Sequence, residues 1–88
     1  MIYTKTCEYA IRALIYFADN PEEGSATVKQ VSQESGIPRS YVAKIFQCLL
    51  HSGILRSQRG PSGGYSLTTP LSKLSLLRIV RALDDPKK

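Results

Sequence analysis

The stretch that decides the fold runs from Ser35 to Ser52 and reads SGIPRSYVAKIFQCLLHS. Near its start, Gly36 can take the left-handed backbone conformation that closes a helix, and Pro38 cannot continue one. The stretch therefore predicts a tight break, followed at once by a helix over about residues 39–52 that Gly53 ends. One side of that helix is a wide apolar stripe, which is typical of a core-facing surface. The stripe consists of Tyr41, Val42, Ile45, Phe46, Leu49 and Leu50.

The opposite side of the same helix is polar and holds no carboxylate. It presents one base, hydroxyl and amide groups and one small residue, and it consists of Ser40, Ala43, Lys44, Gln47 and His51. A shorter helix is predicted just before the break, because Thr27 and Gln30 have the spacing of a capping box. Val28 and Val31 give that helix a narrow apolar face. A short helix, a turn with glycine and a helix with a polar outer face form the layout of a helix-turn-helix motif.

The polar side chains of the second helix suit contacts with duplex DNA, whose major groove admits an α-helix. Lys44 can contact a guanine edge or a phosphate, and Gln47 can pair with adenine or contact a phosphate. Ser40, together with the helix N-terminus, can hold a phosphate. Many three-helix domains share this pattern without binding DNA, so a protein-interaction module without DNA specificity stays open as the alternative. RNA binding is a weaker third interpretation, because the helix suits the B-form major groove better than the A-form one.

A hairpin is predicted directly after this helix, with strands over Ile54–Ser57 and Tyr65–Thr68. Two turn residues are enough for a hairpin, yet the connection here is longer and lies within the stretch SQRGPSGGYSL, which runs from Ser57 to Leu67. Its glycines let the main chain approach a ligand closely, and Pro61 lowers the ordering cost of binding. The Arg59 cation suits a narrow, strongly negative minor groove. We therefore predict a wing, meaning this hairpin and its connection, that contacts the DNA backbone or minor groove; the alternative is a turn that needs glycine for its dihedral angles.

The rest of the chain predicts two more helices. The first covers about Thr4–Asp19 and is followed by the loop PEEGSA, and the last follows Pro70 and is capped by Ser75. The residues of the last helix predicted to face the core are Leu76, Leu77, Ile79, Val80 and Leu83. The predicted fold class is mainly α with a small β-hairpin. It is a winged helix-turn-helix with a three-helix core, a wing and a C-terminal helix, in one domain over residues 1–88.

The net charge of +5 is unevenly distributed along the chain. All seven acids lie outside residues 35–83, whereas that segment holds seven bases. An acid-free basic segment indicates a polyanionic partner such as nucleic acid, because a surface that only contacts solvent would normally interleave both signs. At 88 residues the chain can bury one core, and we do not expect it to enclose a deep substrate cavity as well.

An enzyme is not expected from the motifs. The glycine-rich tip lacks the Lys-Ser/Thr pair of a P-loop and opens no helix, and His51 is the single histidine, with no nearby Cys or acid to complete a triad. No apolar run approaches the length of a membrane span, so we expect a cytoplasmic protein without a membrane partner. Cys7 and Cys48 are far apart in the sequence and are predicted to be small core residues rather than a disulfide.

Four segments carry a family resemblance, namely YAIRALIYFA, SGIPRSYVAKIFQCLLHSGILRS, RGPSGGYSL and SLLRIVRAL. They resemble the N-terminal domain of the Rrf2 family of bacterial transcription regulators, from the N-terminus to about Asp85. The resemblance implies a nucleoid-associated homodimer that binds a palindromic operator, usually to repress and sometimes to activate. Tyr9 matches an aromatic residue that lies near DNA in some members. Ala43 stands where some members carry a glutamate that reads bases, which leaves the target sequence open.

From the residues and the resemblance together we predict one set of DNA-binding residues. The set draws on the first helix, the start of the second, the third helix and the wing tip. Its members are Tyr9, Thr27, Lys29, Arg39, Ser40, Tyr41, Lys44, Gln47, Arg59, Gly60, Pro61, Ser62, Gly63 and Gly64.

The resemblance also bears on cofactors. Many members continue with three closely spaced cysteines, which hold an iron–sulfur cluster, and with a long dimerisation helix. Residues 1–88 contain neither, so we expect no cofactor here and a cluster only in a longer parent protein; the alternative is a short member without the sensor. Cys7 and Cys48 match no ligand position. Glu8 matches the position of an acidic ligand in nitric-oxide-sensing members, which makes it a candidate metal ligand in such a parent; otherwise it is an exposed acid that the helix N-terminus stabilises.

Overall fold

The computed structural model describes residues 5–20, 24–58 and 64–84, and these form α-helices, one short 3-10 helix and a two-stranded hairpin. In chain order the elements are α1 (Lys5–Asp19), α2 (Val28–Ser35), α3 (Arg39–His51), β1 (Leu55–Ser57), β2 (Tyr65–Leu67), the 3-10 helix (Leu71–Lys73) and α4 (Leu76–Asp84). The predicted order of helices and hairpin is confirmed. The 3-10 helix after Pro70 is not predicted from the sequence.

The core lies between all four α-helices, the turn that joins α2 to α3, and the base of the hairpin. Leu14 of α1, Val31 of α2 and Phe46 of α3 are each at most 1% exposed, and Ile37 fills the space under the turn. Burying a side chain of this size contributes about 1.5–3 kcal/mol relative to leaving it in water. The helix-turn-helix pair is therefore held by one continuous apolar cluster, with α1 packed against both of its helices.

Local signals fix the ends of the two helices of this pair, as the sequence predicts. The Thr27 hydroxyl accepts from the Gln30 amide at 3.1 Å, and the Gln30 side chain accepts from the Thr27 amide at 2.8 Å. Such a cap is typically worth about 1 kcal/mol. Gly36 closes α2 in the left-handed conformation, with φ of 77°. Pro38 then precedes α3, and its carbonyl accepts from the amide of Tyr41.

Three apolar side chains predicted to face the core are exposed instead: Tyr41 at 51%, Leu76 at 54% and Leu77 at 56%. Tyr41 lies at the edge of the apolar stripe in the first turn of α3, and its ring packs outside the core against Tyr9. Leu77 lies about 200° around α4 from the buried Ile79, on the side away from the core. Leu76 opens α4, and since Cβ atoms tilt towards a helix N-terminus, its side chain projects beyond the packed turns.

The two hairpin strands pair antiparallel, with Arg56 opposite Ser66. The base of the wing is also tied to the segment before α2, which the sequence does not predict. Ala26 and Tyr65 exchange two backbone hydrogen bonds of 2.8 Å each. Gly64, next to this bridge, has φ of 113°, and a Cβ there would lie 3.0 Å from the Ala26 oxygen. Glycine is thus required at position 64 by both the dihedral angle and the close backbone approach.

Two further expectations concern the cysteines and the helix lengths. Cys7 and Cys48 are buried, at 2% and 9% exposure, which confirms their predicted place among the core residues. Among the residues that the structure describes, no helix is both long enough and apolar enough to cross a bilayer.

Candidate nucleic-acid interface

The polar side of α3 faces outward. Its predicted members, together with Arg39 at the helix start, are all exposed. On the other side, Val42, Phe46 and Leu49 have no measurable exposure, which fixes the rotation of the helix about its axis. The outward side therefore presents cationic, hydroxyl and amide groups without a carboxylate, a composition that suits contact with the bases and phosphates of a major groove.

The wing base lies against this same surface. The Gln47 amide nitrogen donates to the Tyr65 hydroxyl at 3.4 Å, which is long for a hydrogen bond. The Tyr65 ring also packs on Phe46, with ring centroids 4.9 Å apart at an interplanar angle of 64°. Such an edge-to-face pair contributes roughly 0.5–1.5 kcal/mol beyond its buried area. The start of β2 is thus anchored beside the outward side of α3.

The hairpin has a polar cluster of its own, in which the side chains of Arg56 and Gln58 meet Ser66. Ser66 is 5% exposed, and its hydroxyl accepts from the Arg56 guanidinium at 3.3 Å and from the Gln58 amide at 3.1 Å. The backbone of Gln58 donates to the carbonyl of Gly64 at 2.8 Å, which closes the base of the connection. Arg56 is exposed and adds a fixed cation to the wing, although the sequence analysis does not count it among the DNA-binding residues.

The predicted wing-tip residues Arg59, Gly60, Pro61, Ser62 and Gly63 lie outside the described residues. Of the predicted tip, Gly64 alone belongs to the described part, at the junction with Ala26.

The two predicted DNA-binding residues at the start of α2, Thr27 and Lys29, differ in their exposure to solvent. Thr27 is half-buried, and its hydroxyl is engaged in the helix cap. Lys29, two residues further along, is exposed and free to turn towards solvent. Of the pair, Lys29 therefore has the side chain that can reach an external phosphate.

The predicted residue Tyr9 lies at the centre of a group that joins α1 to α3. Its ring centroid is 5.4 Å from that of Tyr41, 5.9 Å from the Lys5 nitrogen and 5.6 Å from the Arg12 guanidinium carbon. The Arg12 guanidinium donates to the carbonyl of Ser35 at 2.7 Å. Neither cation is among the DNA-binding residues predicted from the sequence. The spacing of Lys5 and Arg12 from Tyr9 is the sequence signal that indicates this group, because residues four positions before and three positions after Tyr9 lie on the same face of the helix.

The candidate metal ligand Glu8 lies half-buried in the first turn of α1. Within residues 5–20, 24–58 and 64–84, no three His, Cys, Asp or Glu side chains come together in a group that could hold a metal ion. A single carboxylate does not make a metal site, so the described residues do not fit a metal or an iron–sulfur cluster by themselves.

The sequence model of the Rrf2 family, described as an iron-dependent transcriptional regulator, matches residues 3–88. This chain belongs to the Rrf2 family. It is 33% identical over 85 residues to the HTH-type transcriptional regulator IscR of Escherichia coli, which covers 97% of this chain and 52% of IscR. It is 31% identical to an HTH-type regulator of Neisseria meningitidis, over 97% of this chain and 57% of that protein. This Rrf2 chain thus spans about half the length of the curated relatives it matches.

Solved structures share the fold. CymR, the global cysteine regulator of B. subtilis, superposes with a TM-score of 0.85 at 24% identity, over 98% of this chain and 67% of CymR. The oxidised form of Staphylococcus aureus CymR gives 0.80 at 27% identity, over 96% and 68%. T. potens IscR gives 0.84 at 24%, over 96% and 61%. These structures confirm the predicted fold class, and the family model and the relatives from E. coli and N. meningitidis confirm the predicted family. Those two relatives are transcriptional regulators rather than enzymes.

Proposed function

We propose that residues 1–88 form a single DNA-binding domain of a transcriptional regulator, with α3 in the major groove of a duplex operator and the wing on the adjacent backbone or minor groove. The observation that carries this proposal is the contact between Gln47 and Tyr65. It puts the root of the wing next to the side chains of α3 that point outward. One straight duplex can then meet both elements, since a groove and its flanking backbone lie side by side.

Three polar residues of α3 have roles that fit their chemistry. Lys44 contacts a guanine edge or a phosphate, Gln47 contacts adenine, and Ser40 binds a phosphate near the helix N-terminus. Ala43 lies between them with only a methyl group, which suits contact with a thymine methyl and donates no hydrogen bond. Selectivity in this region then comes mainly from Lys44 and Gln47.

The wing supplies contacts that read shape rather than base edges. Arg59 is proposed to enter a narrow minor groove, where the potential is most negative. The neighbouring glycines and Pro61 let the main chain come close at a small entropic cost. Arg56, held by Ser66 at the root of the wing, adds a second cation that faces solvent. The wing therefore strengthens binding and favours A·T-rich flanks.

A homodimer on a palindromic operator is the assembly proposed for this domain. Two half-sites about 34 Å apart are read by two recognition helices related by a two-fold axis. Leu76 and Leu77 on α4 supply exposed apolar surface that is available for pairing. Repression in the bacterial cytoplasm, at the nucleoid, is the regulatory outcome proposed, because an operator-bound dimer blocks access to the promoter.

An iron–sulfur cluster is proposed only for a longer parent protein that adds cysteines. There Glu8 would serve as a carboxylate ligand towards the partner subunit. Replacing Glu8 by alanine in such a cluster-loaded parent should shift the visible absorption of the cluster. An unchanged spectrum would reject Glu8 as a ligand and leave it as an acid stabilised by the positive end of α1.

Selection from a random duplex library tests the proposed function directly. The 88-residue chain should enrich one motif, and binding to that motif should exceed binding to unselected duplex by about 10³-fold or more. A chain that binds all duplexes equally, or none, would favour the alternative of a protein-interaction module. Salt dependence alone does not separate the two, since a basic surface loses affinity for acidic protein and for DNA alike.

A further inference from the structure

The N-terminal half of α1 carries two cations around one aromatic ring. Lys5 lies one turn before Tyr9 and Arg12 nearly one turn after it, and both reach the ring, at 5.9 Å and 5.6 Å from its centroid. The Lys5 and Arg12 side chains are exposed, while the ring itself is half-buried. The result is an aromatic platform with a cation at each end, on the surface of the domain.

This group is held in place and is continuous with α3. The Arg12 guanidinium donates to the carbonyl of Ser35 at 2.7 Å, which ties α1 to the last turn of α2. Tyr9 in turn packs on Tyr41, which is 51% exposed in the first turn of α3. The two hydroxyl-bearing rings therefore bridge α1 to the end of α3 that leads into the groove.

Two electrostatic terms at this group disfavour the uncomplexed chain, and they act against the attraction of each cation to the ring. Lys5 lies in the first turn of α1, where the helix dipole disfavours a positive charge. Lys5 and Arg12 also contact the same ring, so their like charges repel each other. An anion bound between them would relieve both penalties, and the phenol hydroxyls could donate to its oxygens.

We propose that Lys5, Tyr9, Arg12 and Tyr41 form a clamp for one DNA phosphate on the backbone beside the groove that α3 enters. We name these four residues the α1 clamp. Lys5 supplies the ion pair, and the two tyrosine hydroxyls donate hydrogen bonds. Arg12 is a positioning residue that packs on the Tyr9 ring and is itself tied to α2 through the carbonyl of Ser35. The clamp reads no bases, so it adds affinity equally on every sequence. This inference rests on the proposed function, because it names a further contact with the same partner.

Lys5→Ala tests the clamp, with Lys73→Ala as the charge-matched control from the 3-10 helix. The probes are the library-selected duplex and a duplex of random sequence, each titrated at about 50 and about 200 mM salt. Losing one phosphate contact lowers the slope of log K against log salt by about 0.9, so the ratio of the two affinities should fall about threefold on both probes.

Tyr9→Phe keeps the ring and removes one neutral donor. It should weaken binding about tenfold with the slope unchanged.

The outcomes separate this inference from the proposed function. If wild type selects a motif and Lys5→Ala keeps the wild-type slope, the clamp is wrong and the proposed function stands. If Lys5→Ala changes the selected motif, Lys5 reads bases and the phosphate role is also wrong. If Lys73→Ala lowers the slope as much as Lys5→Ala, the loss reflects total charge rather than this site. If wild type selects no motif, the proposed function itself fails.

Discussion

Gly64→Ala should destabilise the domain by loosening the root of the wing. The backbone at Gly64 has φ of 113°, a conformation that costs a side-chain-bearing residue about 1–3 kcal/mol. The new Cβ would lie 3.0 Å from the Ala26 oxygen and 3.2 Å from the Ala26 carbonyl carbon, and both atoms belong to backbone that cannot rotate away. Relief requires the two chains to separate, which strains the two hydrogen bonds of 2.8 Å between Ala26 and Tyr65. With about 1 kcal/mol for one weakened bond, the expected loss is about 2–4 kcal/mol.

Urea unfolding followed by circular dichroism measures this loss, and Gly36→Ala is the matched control. Gly36 also has a positive φ, of 77°, but a Cβ there would meet nothing within 4 Å. It should therefore cost only the dihedral penalty, about 1–2 kcal/mol. The difference between the two variants reports the contact with Ala26. If Gly64→Ala is no more destabilising than Gly36→Ala, the tie between the wing and the segment before α2 does not exist in solution.

Three further predictions concern DNA binding. Arg59→Ala should weaken binding to the selected duplex by roughly 1–3 kcal/mol, because the wing loses its groove cation; wild-type affinity in a fluorescence anisotropy titration would refute the wing contact. Lys44→Ala should reduce the salt slope by about one unit if Lys44 binds a phosphate, whereas a changed motif at constant slope would assign Lys44 to a base edge. Tyr65→Phe removes the hydroxyl that Gln47 donates to and keeps the ring on Phe46. A repeated library selection should then show a relaxed preference at one position per half-site, and an identical motif would show that Tyr65 does not orient Gln47.

The sequence predicts the ends of α2 and the start of α3 well, because short-range chemistry sets them. A hydroxyl three residues before an amide side chain makes the Thr27 cap. Gly36 adopts the left-handed backbone conformation that ends α2. Pro38, which cannot continue a helix, stands directly before the first residue of α3. None of these signals depends on distant residues, so each can be predicted from a few neighbouring residues in the sequence.

Features that depend on tertiary packing cannot be predicted from neighbouring residues in the sequence. Leu76 and Leu77 are exposed because of the way α4 packs on α1 and α3. The sequence shows that both residues are apolar, but it does not show on which side of α4 the other helices lie. The bridge from Ala26 to Tyr65 joins segments far apart in the chain. The contact between Gln47 and Tyr65 is of the same kind, and it is the one that sets the wing beside α3.

For the candidate site, the outward residues of α3 follow from helical periodicity alone, since the buried stripe fixes the opposite side. The cations Lys5 and Arg12 are missed because each is unremarkable by itself. Their meaning comes from Tyr9 between them and from the packing of that ring on Tyr41. A polar residue on a helix becomes a site only through its neighbours in space.

Titration of isotope-labelled chain with the selected duplex, followed by backbone amide NMR, tests the central claim most directly. The account predicts that the largest chemical-shift changes fall together on two stretches, residues 39–47 of α3 and residues 58–65 of the wing. Amides of the 3-10 helix and of the C-terminal half of α4 should move little. Large changes confined to α4, with both of those stretches unmoved, would contradict a surface that grips a duplex with α3 and the wing.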